Sequence, residues 1–285
     1  MSYGLRISEF SSLNFSEWKH DFEIDECYVQ PFSIYDNIRV QLSILDSYEI
    51  TLRLVNTDNN ATEIISLDTL GSEDDYTIYS FQYSGLSLGH YRVDVLNSFD
   101  EIVSYSLFNI VPREELEGTL KIRYTHREND YDVYFVNGED YNYFDFRVEG
   151  GFLYNEIQFQ SDVNFFRDQR YAGHILSAYP YETRKLTIGK RSGVPVWVAR
   201  KLNLIFCLSY TLINGEYYTR SESSNPEIIK QGELYPLYVI KIDLDVVNFY
   251  SYNIKEYPFV YSILATEDKK ILGTEDMEGM LIENN

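Results

Sequence analysis

The sequence predicts a mainly β protein in which an N-terminal immunoglobulin-like antiparallel sandwich is followed by a second β-rich domain with one amphipathic helix. Three observations predict this fold class. Short apolar-polar alternations recur along the chain, turn-forming residues separate them, and residues that favour strands are abundant, with 27 Tyr and 17 Phe in 285 residues. Because 44% of the residues are hydrophobic, the chain can bury a core, and intrinsic disorder is excluded for most of it.

The alternating segments dominate the first 112 residues. Ile38 to Ile44 and Ile50 to Leu54 place apolar side chains at every second position, which is typical of strands with one buried face. Further strand-like runs follow at about 8 to 15 residue intervals with no helical pattern between them, as in a sandwich. We therefore predict an autonomous sandwich over residues 1–112. Its expected inward side chains are Ile38, Val40, Leu42, Ile50, Leu52, Leu54, Val93 and Val95.

A proline followed by charged residues, Val111 to Glu115, marks the expected domain boundary. Residues 113–285 then form a second β-rich domain, which we interpret as an assembly domain. Two Asn-Gly dipeptides, Asn137-Gly138 and Asn214-Gly215, lie between strand-like runs and predict hairpin turns, because both residue types tolerate positive φ.

One segment of the second domain has helical spacing. Its apolar residues recur opposite Arg200 and Asn203, and a proline stands in the first turn, which predicts an amphipathic helix from about Pro195 to Leu208. Packing on a sheet is the first interpretation, and an exposed face for a partner is the second. The chain closes with an acidic tail from Glu275 to Asn285.

The net charge of −21 argues against a surface that grips nucleic acid, although negative charge would suit a conduit through which DNA slides. Residues 1–112 carry 5 Lys and Arg against 18 Asp and Glu, and residues 113–285 carry 19 against 27. Basic residues cluster in positions 167–201, which predicts a surface that docks an acidic neighbour or, alternatively, a solvated face. They are Arg167, Arg170, Arg184, Lys185, Lys190, Arg191, Arg200 and Lys201.

Motifs for catalysis are not found, and the sequence predicts no enzyme, no cofactor and no metal site. The four histidines are scattered without metal-ligand spacing, and neither a nucleophile elbow nor a phosphate-binding glycine loop occurs. The two cysteines, Cys27 and Cys207, are expected to be free, buried thiols. No secretory or membrane-spanning segment is recognised, so we expect synthesis in a cytoplasm.

The order of motifs along the chain resembles virion structural proteins of tailed phages and prophages of the Bacteroides group, including crAss-like phages. The segments that carry the resemblance are Glu17-Trp18, Cys27 to Pro31, Gly85 to Tyr91, Phe144 to Phe152, Leu176 to Glu182, Gly193 to Trp197, Lys201 to Asn203 and Ile213 to Tyr218. The resemblance implies a neck-ring or tail-barrel subunit that works in the virion and lacks a cofactor. It also implies that the partners are further copies and other neck or tail proteins. From the acidic charge and the lack of a long apolar run, we expect no specific nucleic-acid binding and no membrane partner.

The runner-up hypothesis is a glycan- or protein-binding β-sandwich module, because exposed aromatic rings on sandwiches stack against sugars. Trp18, Trp197 and the tyrosines between positions 76 and 83 would then form the binding surface. A binding module should work as a monomer, whereas a ring subunit needs large contacts between copies.

Overall fold

The computed structural model describes residues 4–17, 28–167, 171, 173–189, 193–222, 224–230 and 237–247. These residues form many β-strands and a single α-helix, α1 (Val196–Ile205). The predicted mainly β fold class is thereby confirmed. The predicted acidic tail lies outside the described residues.

Two sheets of the N-terminal half form a sandwich. Its strands are β1 (Leu5–Ile7), β2 (Ser16–Glu17), β3 (Gln30–Phe32), β4 (Ile38–Leu45), β5 (Ile50–Asn56), β6 (Thr62–Ile64), β7 (Asp68–Glu73), β8 (Tyr76–Tyr83), β9 (Gly89–Asn97) and β10 (Ile102–Ile110).

The strand order of the sandwich is that of an immunoglobulin domain. One sheet has the order β1-β4-β8-β7 and the other β2-β10-β9-β5-β6, and β3 pairs in parallel with β10. β1, β4, β8 and β7 thus take the places of strands A, B, E and D, and β10, β9 and β5 those of G, F and C.

The inward faces of both sheets form one hydrophobic cluster, as the alternation predicted. Seven of the eight expected side chains are buried, and Ile50 is half-buried near the sandwich end. One polar position departs from the pattern, because Gln41 is fully buried on the opposite face. Its amide exchanges two 2.9 Å hydrogen bonds with the backbone of Tyr134 in the C-terminal half.

The chain leaves the sandwich through a short 3₁₀ turn, Arg113–Leu116, after Pro112. The N- and C-terminal halves nevertheless share contacts, since Phe10 belongs to the hydrophobic cluster of the C-terminal half. Residues 1–246 form one compact unit. The autonomy of residues 1–112 therefore stays a prediction.

A third sheet occupies the C-terminal half. Its strands are β11 (Thr119–Thr125), β14 (Phe144–Arg167), β15 (Gly173–Ile188), β16 (Tyr210–Ile213), β17 (Glu216–Arg220), β18 (Glu227–Lys230) and β19 (Tyr238–Val246). A separate small hairpin joins β12 (Val136–Asn137) to β13 (Asp140–Tyr141).

This sheet closes on itself. The order is β15-β14-β11-β16-β17-β19, and β19 pairs with β15 to complete the circuit, while β18 extends the sheet along β19. Both predicted Asn-Gly turns are confirmed, since Gly138 and Gly215 have positive φ between paired strands, and so does Asn214.

The predicted helix is confirmed as α1, which begins after Pro195 and ends at Ile205 rather than Leu208. Its apolar face, with Val198, Leu202 and Ile205, packs into the hydrophobic cluster of the closed sheet. The helix thus packs on a sheet, which was the first of the two interpretations.

Candidate functional site

A hairpin of β14 and β15 extends beyond the closed sheet. β14 pairs with β11 only as far as Glu149, and β15 pairs with β19 only from Glu182 onward. Among the described strands, residues 158–167 of β14 pair only with β15, and residues 173–181 of β15 pair only with β14. At about 3.3 Å per residue, this two-stranded part is about 30 Å long. We call residues 158–167 and 173–181 the hairpin arm.

One face of the hairpin arm is apolar. Alternate residues of β14 share a face, and the register adds their partners on β15. Val163 lies beside Ala178 and Phe165 beside Ile175, while Phe159 lies beside Glu182 at the base of the arm. The exposed fraction is 83% for Phe159, 53% for Phe165 and 70% for Ile175. The other face carries mostly polar side chains and tyrosine hydroxyls, among them Gln160, Asp162, Asn164, Tyr179 and Tyr181, with Phe166 exposed near its end. The arm is therefore amphipathic, and no described residue covers its apolar face.

Exposed apolar surface on a two-stranded hairpin of this kind is unfavourable in water. An isolated two-stranded hairpin is only marginally stable, and contiguous exposed apolar surface marks an interaction site. Among the described strands, neither long edge of the arm pairs with a further strand, and such an edge can pair with another chain. The apolar face of the hairpin arm is therefore a candidate contact surface.

The base of the arm is fixed to the closed sheet. Phe152 stacks on the ring of Tyr218 with centroids 4.9 Å apart. Arg184 donates hydrogen bonds to Tyr218 Oη at 2.9 Å and to Glu216 Oε2 at 3.0 Å, and it also pairs with Glu182. These contacts fix the base of the hairpin arm to β17.

A buried ionic network fixes the closed sheet against the sandwich. Asp36 in the β3–β4 loop pairs with Arg147 of β14 at 2.7 Å and with Lys121 of β11 at 3.1 Å. Asp145 of β14 pairs with Lys121 at 2.8 Å and with Arg123 at 2.7 Å. Burial would raise the pKa of Asp36, but hydrogen bonds from Arg147 and from the Ser33 N–H, together with nearby cations, hold it below its ordinary value.

A second uncovered apolar surface lies on the sandwich, and we call it the sandwich groove. The β3–β4 loop lines it with Ile34 and Tyr35, and the β8–β9 loop with Leu86 and Leu88. The Gly85 N–H donates to Ile34 O at 3.0 Å and holds the two loops together. The exposed fractions of Tyr35 and Leu88 are 81% and 56%, so apolar side chains line the open groove.

The described members of the predicted basic cluster do not lie in one patch. Arg167 is exposed at the end of the hairpin arm, whereas Arg184 and Lys185 lie at its base and pair with acidic residues of their own chain. Arg200 is exposed on α1, but Lys201 is 5% exposed. Arg170, Lys190 and Arg191 lie outside the described residues.

The prediction that Lys201 belongs to a surface cluster is wrong, because Lys201 lies on the buried face of α1. Its ammonium group donates to Ser11 O in the N-terminal segment, and Nζ stands 5.4 Å from the centre of the Phe146 ring. Burial lowers the pKa of Lys201 to about 7, although the charge of Glu9 opposes the shift. Cys207 also departs from its expected burial, since its thiol is free but exposed just beyond the helix end. Cys27 lies outside the described residues.

The cavity that the described residues form beside α1 offers little room for a small substrate. A cavity of about 20 Å³ lies beside Tyr28, Gln30 and Trp197, which is enough for about one water molecule. In the same part of the chain, no group of three or more His, Cys, Asp or Glu side chains is placed to hold a metal ion. No helix within the described ranges has the length and hydropathy of a membrane span.

No protein-family model, curated protein or solved structure matches this chain.

The hairpin arm was not recognised from the sequence, although a signal was present. Phe159, Ser161, Val163 and Phe165 alternate with Gln160, Asp162 and Asn164, which is the period of a strand with one covered face. The alternation shows that a face is apolar, but it does not show whether the covering surface belongs to the same chain.

Proposed function

We propose that this chain is a structural subunit of a tailed-phage virion, a ring-forming neck or tail component around the path by which DNA leaves the particle. The observation that carries the proposal is the hairpin arm, whose apolar face is uncovered in the isolated chain. A subunit that assembles with neighbours needs such a surface, whereas a self-sufficient binding module does not. The motif order of the sequence supports the phage assignment.

The charge distribution fits the same role. Subunits with a net charge of −21 repel one another, so burial of apolar surface must supply most of the association energy. An acidic surface along a channel would also let DNA slide without adhering.

For the alternative of a glycan-binding module, one of the aromatic rings expected to stack on a sugar is already packed against other rings. The Trp197 ring packs at 5.8 Å from Tyr28 and 6.1 Å from Phe146, so it is not a free surface for a sugar ring. Trp18 lies outside the described residues. Among the tyrosines of β8, Tyr76, Tyr79 and Tyr83 are half-buried.

The test is native mass measurement of the purified full chain over a range of concentrations, combined with identification of the proteins in purified phage particles that encode it. We expect a closed oligomer in solution or in the particle and several copies of the chain in each particle. A chain that is absent from such particles would overturn the proposal.

A variant pair connects this test to the hairpin arm. Changing Phe159 and Phe165 to Ser should abolish incorporation without loss of folding, because both side chains are exposed. Changing Gln160 and Asn164 to Ser on the polar face is the matched control and should leave incorporation unchanged.

A further inference from the structure

The chain carries two uncovered apolar surfaces of different shape, the hairpin arm and the sandwich groove. The arm is a narrow projecting element, and the groove is a concave site between two loops. In the described structure each stays exposed, so the arm of a chain does not fill the groove of that same chain. We infer that the hairpin arm of one copy docks into the sandwich groove of the next copy. This inference rests on the proposed function, because it names the contact that would build the ring.

Charge favours this pair of surfaces over others. The hairpin arm carries one basic residue, Arg167, and one acidic residue, Asp162, so the arm is neutral. Residues 1–112 carry a net charge of −13, from 5 basic and 18 acidic residues. Two sandwiches in contact would repel each other, whereas a neutral arm approaches an acidic sandwich without that cost.

Symmetry separates this contact from packing between two arms. Two apolar arm faces packed against each other would form an isologous contact, which ends at a dimer and leaves both grooves open. An arm in a groove joins different surfaces of identical copies, and such heterologous contacts build rings. Each copy then gives one arm and receives another, and both apolar surfaces are covered.

The size of the arm predicts that a single contact is weak. Two strands about 4.8 Å apart form a face about 10 Å wide, so a 30 Å arm offers about 300 Å² on its apolar side. Stable interfaces bury about 800 Å² on each partner. We therefore expect weak association of pairs and stable association only when the ring closes, since closure adds a contact without further loss of subunit freedom.

Two full-length variants isolate the surfaces. The arm variant carries Phe159→Ser and Phe165→Ser and keeps an intact groove. The groove variant carries Tyr35→Ser and Leu88→Ser and keeps an intact arm. All four side chains are more than half exposed, so both variants should unfold at the same temperature as the wild type.

Native mass measurement at high micromolar concentration gives the decisive comparison. Each variant alone should be monomeric, because each lacks one half of every contact. An equimolar mixture should form a one-to-one dimer and nothing larger, since one intact arm meets one intact groove and no free pair remains. The wild type should form larger assemblies under the same conditions.

Other outcomes separate failure of this contact from failure of the proposed function. If the groove variant assembles like the wild type, or if the mixture shows no dimer whose fraction grows with concentration, the arm-in-groove contact is overturned. Incorporation of the chain into particles in that case leaves the structural role intact and assigns the arm to a different partner. A wild type that stays monomeric but enters particles likewise overturns contact between copies.

Discussion

Lys201 should make the stability of this protein depend on pH, and Lys201→Met should remove that dependence. The side chain is 5% exposed, and its amino group faces Ser11 O and the Phe146 ring. Burial lowers its pKa from 10.5 to about 7, although Glu9 favours the charged form. The unfolded chain hydrates the ammonium group and restores the ordinary value.

The sign and size follow from proton linkage. Above pH 7 the folded protein has released the Lys201 proton, whereas the unfolded chain keeps it up to pH 10.5. The unfolded state thus binds one more proton, and the free energy of unfolding rises with pH at up to about 1.4 kcal/mol per unit. Half of the folded molecules are still protonated at pH 7, so the gain between about pH 7 and 9 is about 2 kcal/mol.

Urea unfolding followed by circular dichroism at pH 7, 8 and 9 measures this gain. The range stops there because burial raises the pKa of Tyr124 and Tyr218, and their titration opposes the trend at higher pH. Lys201→Met should flatten the dependence by about 2 kcal/mol. Arg200→Met, at the exposed neighbouring position, should retain it. An equal slope in the wild type and Lys201→Met would refute the buried, proton-releasing lysine.

Further predictions concern the base of the arm, the ionic network and DNA. Gly150→Ala should lower the melting temperature, because the new Cβ would stand 2.7 Å from Thr187 O, whereas Gly151→Ala meets nothing within 4 Å and should not. Asp145→Asn should lower the free energy of unfolding by about 2 kcal/mol in urea titrations because it removes the buried carboxylate that pairs with Lys121 and Arg123, whereas Asp243→Asn, whose ion pair is partly exposed, should change it by less than about 1 kcal/mol. The purified chain should not bind duplex DNA at about 0.15 M salt in a gel-shift assay, and tight binding would contradict the repulsion expected from its charge.

The sandwich could be predicted because its signal is local. A strand needs only its own alternation to define an inward face, and the β4 and β5 patterns put Val40 and Leu54 inside. Gln41 shows the limit of this argument. Its position on the opposite face is correct, but its burial depends on Tyr134, which is 93 residues away in sequence.

The basic cluster could not be predicted as one surface, because neighbours in sequence do not share a direction in space. Arg184 and Lys185 are consecutive on a strand and point to opposite faces, and they contact Glu216 and Asp243 respectively. Arg200 and Lys201 are consecutive on a helix and differ in direction by about 100°. Charged residues that are close together in the sequence are therefore not necessarily close together on the folded surface.

The burial of Lys201 was partly readable in the sequence. Val198, Lys201, Leu202 and Ile205 stand at i, i+3, i+4 and i+7, which is the spacing of one helix face, so the lysine shares the apolar face of α1. A lysine at such a position usually extends its amino group past the apolar surface into water. Here the segment around Ser11 blocks that route, and Ser11 O accepts a hydrogen bond from the amino group instead. That segment is 190 residues away in sequence, so the helix pattern predicts the face on which Lys201 lies, and only the fold shows that water does not reach its end.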